Sequence, residues 1–303
     1  QVLWIENTVG EAQGVFERIC EYADLSAEAG LVHSRFTQAG RWNREGYWVQ
    51  LLGKSGFVDA SRNAQRLRTG RILIGTQVLE QSIDIDADSL FTRLAPTDLL
   101  IQRIGRVQRH ESKRKENSLA RATDREAEAV ILSPSLSQAI EAPIDSFGKS
   151  VWVYPTYKLL RTLEQWEPHD GGSIDVPGDV RQLIDDSFLD RDESDPRMAH
   201  FKSAYRQEVT VAKENAKANQ SRGDGVLPDS EASTRYSEME SRQLLVLDEL
   251  SLNSSGEVII TLAGGQSLTP FHPASARAEK RLARSLGAQI MDAIVNVPKS
   301  QMR

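Results

Sequence analysis

A single cysteine, Cys20, in 303 residues excludes an internal disulfide framework and fits a reducing compartment, so a cytoplasmic location is expected. The histidines (His33, His110, His169, His200 and His272) are scattered and, with one cysteine, form no zinc-ligand spacing, so no metal site is expected in the chain itself. No run of 18 apolar residues occurs, and no membrane span is expected. Excess basic charge is missing too. Against 37 Lys and Arg stand 43 Asp and Glu, a net charge of −6, so any polyanion site must be a local patch. The first residues carry neither Met nor the charged and apolar regions of a signal peptide. They read instead as a buried strand, Gln1-Val2-Leu3-Trp4-Ile5, so the sequence is expected to start inside a domain of a longer protein. With 39% hydrophobic and 26% charged residues, the composition is that of a folded chain, and its length predicts about two domains or one with an extension.

Short apolar runs alternate with helical patterns over the first half. Strands are predicted at residues 1–6, 31–34, 71–75, 89–92 and 129–132. The helical spacing of Ala12, Val15, Phe16 and Ile19 falls between the first two, and a helix begun at Pro96-Thr97 and carrying Leu99, Leu100, Gln102, Arg103 and Arg106 between the last two. Such alternation predicts an α/β fold, a parallel sheet with helices on both faces. After about residue 150 the character changes. Trp152, Tyr154, Tyr157 and Trp166 crowd one segment, Val176-Pro177 is expected to open a short helix, and residues 185–195 hold six acidic side chains that read as a solvated surface. A long mixed-charge helix is predicted over 198–221 and a turn-rich break over 223–230. Short strands follow at 244–247 and 258–262, then a basic helix at 274–286 and a last strand at 290–297.

The chemistry concentrates in Leu100-Ile101-Gln102-Arg103-Ile104-Gly105-Arg106-Val107-Gln108-Arg109-His110. On a continuous helix, Gln102, Arg106 and Arg109 share one face. Two guanidiniums and an amide there suit a nucleoside γ-phosphate and an attacking water, because phosphoryl transfer needs fixed positive charge where charge spreads in the transition state. Gly105 permits close backbone approach. Upstream, the predicted strand 71–75 runs into Thr76-Gln77-Val78-Leu79-Glu80-Gln81-Ser82-Ile83-Asp84, a polar loop. Its hydroxyls and N–H groups can bind a nucleic-acid phosphate, and Asp84 can accept from a ribose hydroxyl. An ordinary strand-to-helix loop and a solvated basic helix face explain either segment alone; the pair, 25 residues apart, resembles the order and spacing of one known ATPase lobe.

Segments 71–86 and 95–110 resemble motifs V and VI of superfamily-two helicases. Thr76 to Ser82 and Leu94 to Arg103 are similar to the helicase–nuclease of type I CRISPR systems, the protein recruited by an RNA-guided surveillance complex. Val2-Leu3-Trp4-Ile5-Glu6-Asn7-Thr8-Val9 resembles motif IV, and His33-Ser34-Arg35-Phe36 the family's next DNA-contacting motif. The resemblance implies a second RecA-like helicase lobe over 1–165, a linker with a long helix over 166–222, and a small C-terminal α/β domain over 223–303. It implies that Gln102, Arg106 and Arg109 complete the ATP site, with Asp84 at the nucleotide sugar and Gly105 beside it. Asn7, Thr8, His33, Ser34, Arg35, Thr76 and Gln77 are implied to bind nucleic acid. The implied cofactors are ATP and Mg²⁺, the metal held mainly by a first lobe. The implied partners are single-stranded DNA, the first RecA-like lobe and HD nuclease domain of the same protein, and the surveillance complex.

That first lobe supplies a P-loop and an acidic metal box, and neither is convincingly present. Gly53-Lys54-Ser55 and Gly148-Lys149-Ser150 match only the end of a P-loop, since Trp48 and Pro143 stand where its first Gly belongs. Asp192-Glu193-Ser194-Asp195 spells an acidic box but follows the Arg-rich motif and no buried strand, and His169-Asp170 lacks supporting ligands. The chain alone is therefore expected to be inactive. The expected whole is an ATP-dependent DNA translocase coupled to a nuclease in CRISPR interference. Another superfamily-two helicase is the alternative, and a non-catalytic docking module the reading from a different class.

Overall fold

The computed structural model describes residues 1–22, 29–81, 83–121, 126–221, 241–252, 254, 258–262, 266–268, 290 and 293–298. The expected turn-rich break at 223–230 and basic helix at 274–286 lie outside them, as does Ser82. The chain divides into two compact units, residues 1–32 with 48–238, and residues 33–47 with 239–303.

The first unit is built on a five-stranded sheet of β1 (Val2–Ile5), β2 (Ala29–Val32), β3 (Ile72–Gly75), β4 (Ser89–Arg93) and β5 (Glu128–Leu132), in the order β2-β3-β1-β4-β5. Every pairing is parallel, with Leu3 opposite both Leu73 and Leu90. Parallel neighbours need crossover connections, which helices supply here. The crossovers use α1 (Val9–Glu21), α2 (Gln38–Leu52), α3 (Ala60–Leu67), the single turn α4 (Val78–Gln81), α5 (Thr97–Ile104) and α6 (Glu111–Glu116). Thr8 caps α1 by accepting from the Glu11 amide at 3.3 Å. Leu3, Ile5, Val32, Leu73, Leu79, Ile85 and Leu90 form a core with Trp48, Leu51 and Leu52 of α2.

α7 (Leu136–Glu141), α8 (Pro143–Phe147), α9 (Thr156–Trp166), α10 (Val180–Phe188) and α11 (Pro196–Ser221) complete the unit. A second core joins Leu94, Ala95 and Leu100 to Tyr154, Tyr157, Leu159, Leu160, Leu163, Trp166, Leu183 and Met198. The aromatic segment thus packs against α5 and supplies no stacking platform, apart from Trp152, which is exposed. Packing continues across the boundary expected at residue 165. The helix expected to open at Pro177 starts at Val180, after a turn.

In the second unit β6 (Ser241–Leu245) pairs antiparallel with β10 (Ile294–Pro298). β7 (Leu247–Leu252), β8 (Val258–Leu262) and β9 (Gln266–Leu268) form an antiparallel sheet of their own. Leu262 and Ala293 are buried among Leu245, Ile260 and Ile290.

Candidate functional site

α5 begins just beyond the carboxyl end of β4 and ends at Ile104, with Gly105 as its C-cap. Val107 then pairs with Ala87, immediately before β4 starts: the Ala87 amide donates to the Arg106 carbonyl at 2.9 Å and the Gln108 amide to the Ala87 carbonyl at 2.9 Å. The helix therefore spans the lobe from one sheet edge to the other, and the motif residues divide between the two edges.

This corrects one expectation. Arg106 and Arg109 do not share a helical face with Gln102, because the helix stops before them and Gln108 takes a positive φ of 49°. What gathers the cations is the loop 83–88. Arg106 is buried and donates to the carbonyls of Glu80 and Ile83, leaving its Nε without a partner. Burial lowers its pKa, with Arg109 nearby acting in the same direction and Asp84 and Glu80 opposing. Arg109 is exposed, its Nε 3.5 Å from Asp84 Oδ1, and His110 Nε2 lies 3.1 Å from the same oxygen. Gln102 and Gly105 are exposed in and just after the last turn of α5. Asp84, Arg106 and Arg109 thus form one group, with two cations against one carboxylate. That arrangement fits an anionic phosphate chain and a sugar hydroxyl.

At the carboxyl edge the organiser is Arg103, which is fully buried. Its Nε donates to Glu80 Oε1 at 2.7 Å, and Nη2 lies 2.5 Å from the same oxygen. Nη1 donates to Thr92 Oγ1 at 2.7 Å and to the Arg93 carbonyl at 2.9 Å; Nη2 donates to Asn7 Oδ1 at 3.0 Å and the Tyr154 hydroxyl at 3.2 Å. One guanidinium thereby joins the end of β4 to the segments that follow β1 and β3. Burial raises the Glu80 pKa, which Arg103 opposes, and burial likewise raises that of Tyr154. The sequence signal for Arg103 is its spacing: three residues after Leu100, it falls on the buried face of α5.

This hub occupies side chains expected to touch nucleic acid. The Asn7 amide donates to the Leu94 carbonyl at 2.7 Å and to Ser150 Oγ at 2.8 Å, so all of its polar atoms serve the interior. Gln77 Nε2 donates to the Asn7 carbonyl at 2.9 Å and to the Tyr154 hydroxyl at 3.1 Å. Thr76 is buried, and Thr8 caps a helix. Asn7 and Thr76, implied by the resemblance to bind nucleic acid, are both buried. In the second unit Ser34 is exposed, Arg35 half-buried and His33 buried. The His33 ring stacks on Phe36 at 4.2 Å and 4°, and its Nδ1 accepts from the Arg35 amide at 3.2 Å. Its pKa falls to about 4, first through burial and then through the nearby charge of Arg35.

The acidic box is structural. Glu193 Oε1 accepts from the Tyr157 hydroxyl at 2.6 Å and Oε2 from Arg191 at 3.2 Å, anchoring the loop to α9. Among the described residues no cluster of three or more His, Cys, Asp or Glu side chains is placed to hold a metal ion. No described helix is long and apolar enough to cross a membrane. In the basic stretch after the motif, exposed Lys113 and Lys115 pair locally with Glu116 and Glu111, as on a solvated face, whereas Arg121 is buried.

Residues 1–112 match the model of a family described as CRISPR-associated nuclease/helicase Cas3, C-terminal. The chain is 32% identical over 210 residues to the CRISPR-associated endonuclease/helicase Cas3 of Escherichia coli K12, covering 67% of this chain and 21% of that protein. The T. fusca Cas3–ADP crystal structure superposes with a TM-score of 0.68 at 26% identity, over 98% of this chain and 32% of that one. A chain of a CRISPR RNA-guided surveillance complex in a pre-nicking state matches with a TM-score of 0.65 at 25% identity, over 98% and 33%. The chain spans about a fifth to a third of the length of these relatives. The resemblance to the CRISPR helicase–nuclease, and with it the RecA-like sheet, is borne out.

Proposed function

From this likeness to the C-terminal helicase part of Cas3 proteins, we propose that the chain is the second motor lobe of an ATP-dependent single-stranded-DNA translocase coupled to a nuclease in type I CRISPR interference. The observation that carries the reading is the pairing of exposed Arg109 with buried Arg106 beside Asp84. A first lobe elsewhere in the protein would hold the phosphates and Mg²⁺. This chain would bring exposed Arg109 to the phosphates and Asp84 to the sugar, with Arg106 as fixed positive charge behind them, and Gln102 would orient the attacking water. ATP supplies the energy, and the residues described here supply charge and orientation. Among the described residues the Arg109 side chain is held by one exposed pair, and such pairs are worth little, so the side chain can swing while its backbone stays in place. Arg106 is preset by carbonyls that cost nothing to reorganise during the reaction. Closure and opening of the two lobes would then advance the DNA. In the first unit nucleic-acid contact would fall to backbone groups near Thr8 and Thr76, and in the second to Ser34 and Arg35; contact with the surveillance complex would fall to surfaces of the whole protein.

The test is DNA-stimulated ATP turnover by the full-length protein. Arg109→Ala should lower kcat about a thousandfold, the usual worth of an arginine finger, with folding stability unchanged. Arg106→Ala should lose activity and stability together, because it also leaves two buried carbonyls unpaired. Turnover above about a tenth of wild type in Arg109→Ala would remove it from the reaction. The isolated chain should hydrolyse no ATP, having neither P-loop nor acidic box.

A further inference from the structure

The finger segment 106–110 is not helical, so something other than helix geometry must fix where Arg109 stands. Two backbone bonds to Ala87 hold its first half. The second half is held by a side chain: the His110 amide donates to Asp86 Oδ2 at 2.6 Å. Asp86 is fully buried, and its remaining capacity is taken up. Oδ1 accepts from Arg121 Nη1 at 2.8 Å and Arg66 Nη2 at 3.3 Å, and Oδ2 accepts from Arg121 Nη2 at 3.2 Å. Asp88 balances the second cation, 2.7 Å from Arg121 and 3.7 Å from Arg66. Both guanidiniums lie against the Phe57 ring, at 4.4 and 4.9 Å from its centroid. Arg121 Nε also reaches Glu111 Oε2 at 3.3 Å, the residue that follows His110. The cluster thus grips residues 110 and 111 from inside the lobe and leaves the Arg109 side chain outside.

We infer that Asp86 and Arg121, supported by Arg66, Asp88 and Glu111, are positioning residues for the finger Arg109. The inference rests on reading Arg109 as the cation that meets the nucleotide phosphates. Burial would lower the Arg121 pKa, yet its hydrogen bonds to Asp86 and Asp88 hold it above the ordinary value. Arg121 thus keeps its charge and its bonds to both carboxylates. A finger misplaced by about 1 Å costs on the order of a hundredfold in rate while leaving ground-state binding nearly intact.

The experiment is steady-state ATP hydrolysis by the full-length protein with saturating single-stranded DNA, for wild type, Arg121→Met, Glu111→Gln and Arg109→Ala. Arg121→Met should lower kcat about tenfold or more, and Glu111→Gln about threefold, with the KM for ATP within about twofold of wild type. Glu111 is only half-buried, so its variant decides the matter if Arg121→Met does not fold. Unchanged kcat in Glu111→Gln and in any folded Arg121→Met, with Arg109→Ala inactive, overturns the inference alone. So does a fall in kcat no larger than the unfolded fraction seen by circular dichroism. Full turnover in Arg109→Ala sinks instead the reading on which the inference rests.

Discussion

Replacing Arg103 with Met tests the interior logic of the lobe most directly. Met fills much of the same volume, so the cost comes from polar groups left behind and only slightly from a cavity. Five partners lose their donor: the Glu80 carboxylate, Thr92 Oγ1, the Arg93 carbonyl, Asn7 Oδ1 and the Tyr154 hydroxyl. The carboxylate dominates. Glu80 is buried, its Oε2 already has no partner, and breaking a buried ion pair from one side costs about 3–5 kcal/mol. That is a large share of a typical domain's 5–15 kcal/mol. The assay is urea unfolding followed by tryptophan fluorescence, since Trp48 and Trp166 are buried in this unit. The double variant Arg103→Met/Glu80→Gln should recover at least about 1 kcal/mol, because the orphaned charge is gone. Acidification should help the single variant too. Burial raises the Glu80 pKa, and loss of Arg103 raises it further. The folded variant then binds a proton more readily than the unfolded chain, and its deficit narrows as pH falls from 7 towards 5. A loss below about 1 kcal/mol, or a double variant whose losses simply add, would refute this account of the hub.

Two further outcomes follow from single positions. His33 is buried with a pKa near 4, below the ordinary 6.5, so the folded state resists its protonation; stability should be full above pH 6.5 and lost progressively as pH falls towards 4, by no more than about 3 kcal/mol. Thermal melts of wild type and His33→Gln across that range would show it, and parallel curves would reject it. A Cβ at Gly75 would stand 2.4 Å from the Val32 carbonyl oxygen and 2.6 Å from Leu79 Cδ1. Because that carbonyl belongs to the sheet, Gly75→Ala should lower stability by about 1–3 kcal/mol, and an unchanged urea midpoint would show that the sheet can yield.

The sequence alone determined the order of strands and helices in the first lobe, because each element there is written in local terms. The apolar runs at residues 2–5, 72–75 and 89–93 lie between helical patterns, and only a parallel sheet satisfies that alternation. It also picked out the segments that resemble helicase motifs, in which Gln102, Arg106 and Arg109 recur at a regular spacing. Tertiary structure decided where those residues stand. Helical periodicity put Arg106 and Arg109 on one face with Gln102, but the strand-like pairing of Val107 with Ala87, twenty positions away in the chain, ended the helix first. Asn7 is polar in the sequence and interior in the fold, because a buried guanidinium needs acceptors and takes them from whichever segments converge at its position. Asp86, Arg66 and Arg121 looked like ordinary charges 20 and 35 residues apart. Only the closed fold brings them together, and a buried charge can be tolerated only where its partner is already in place.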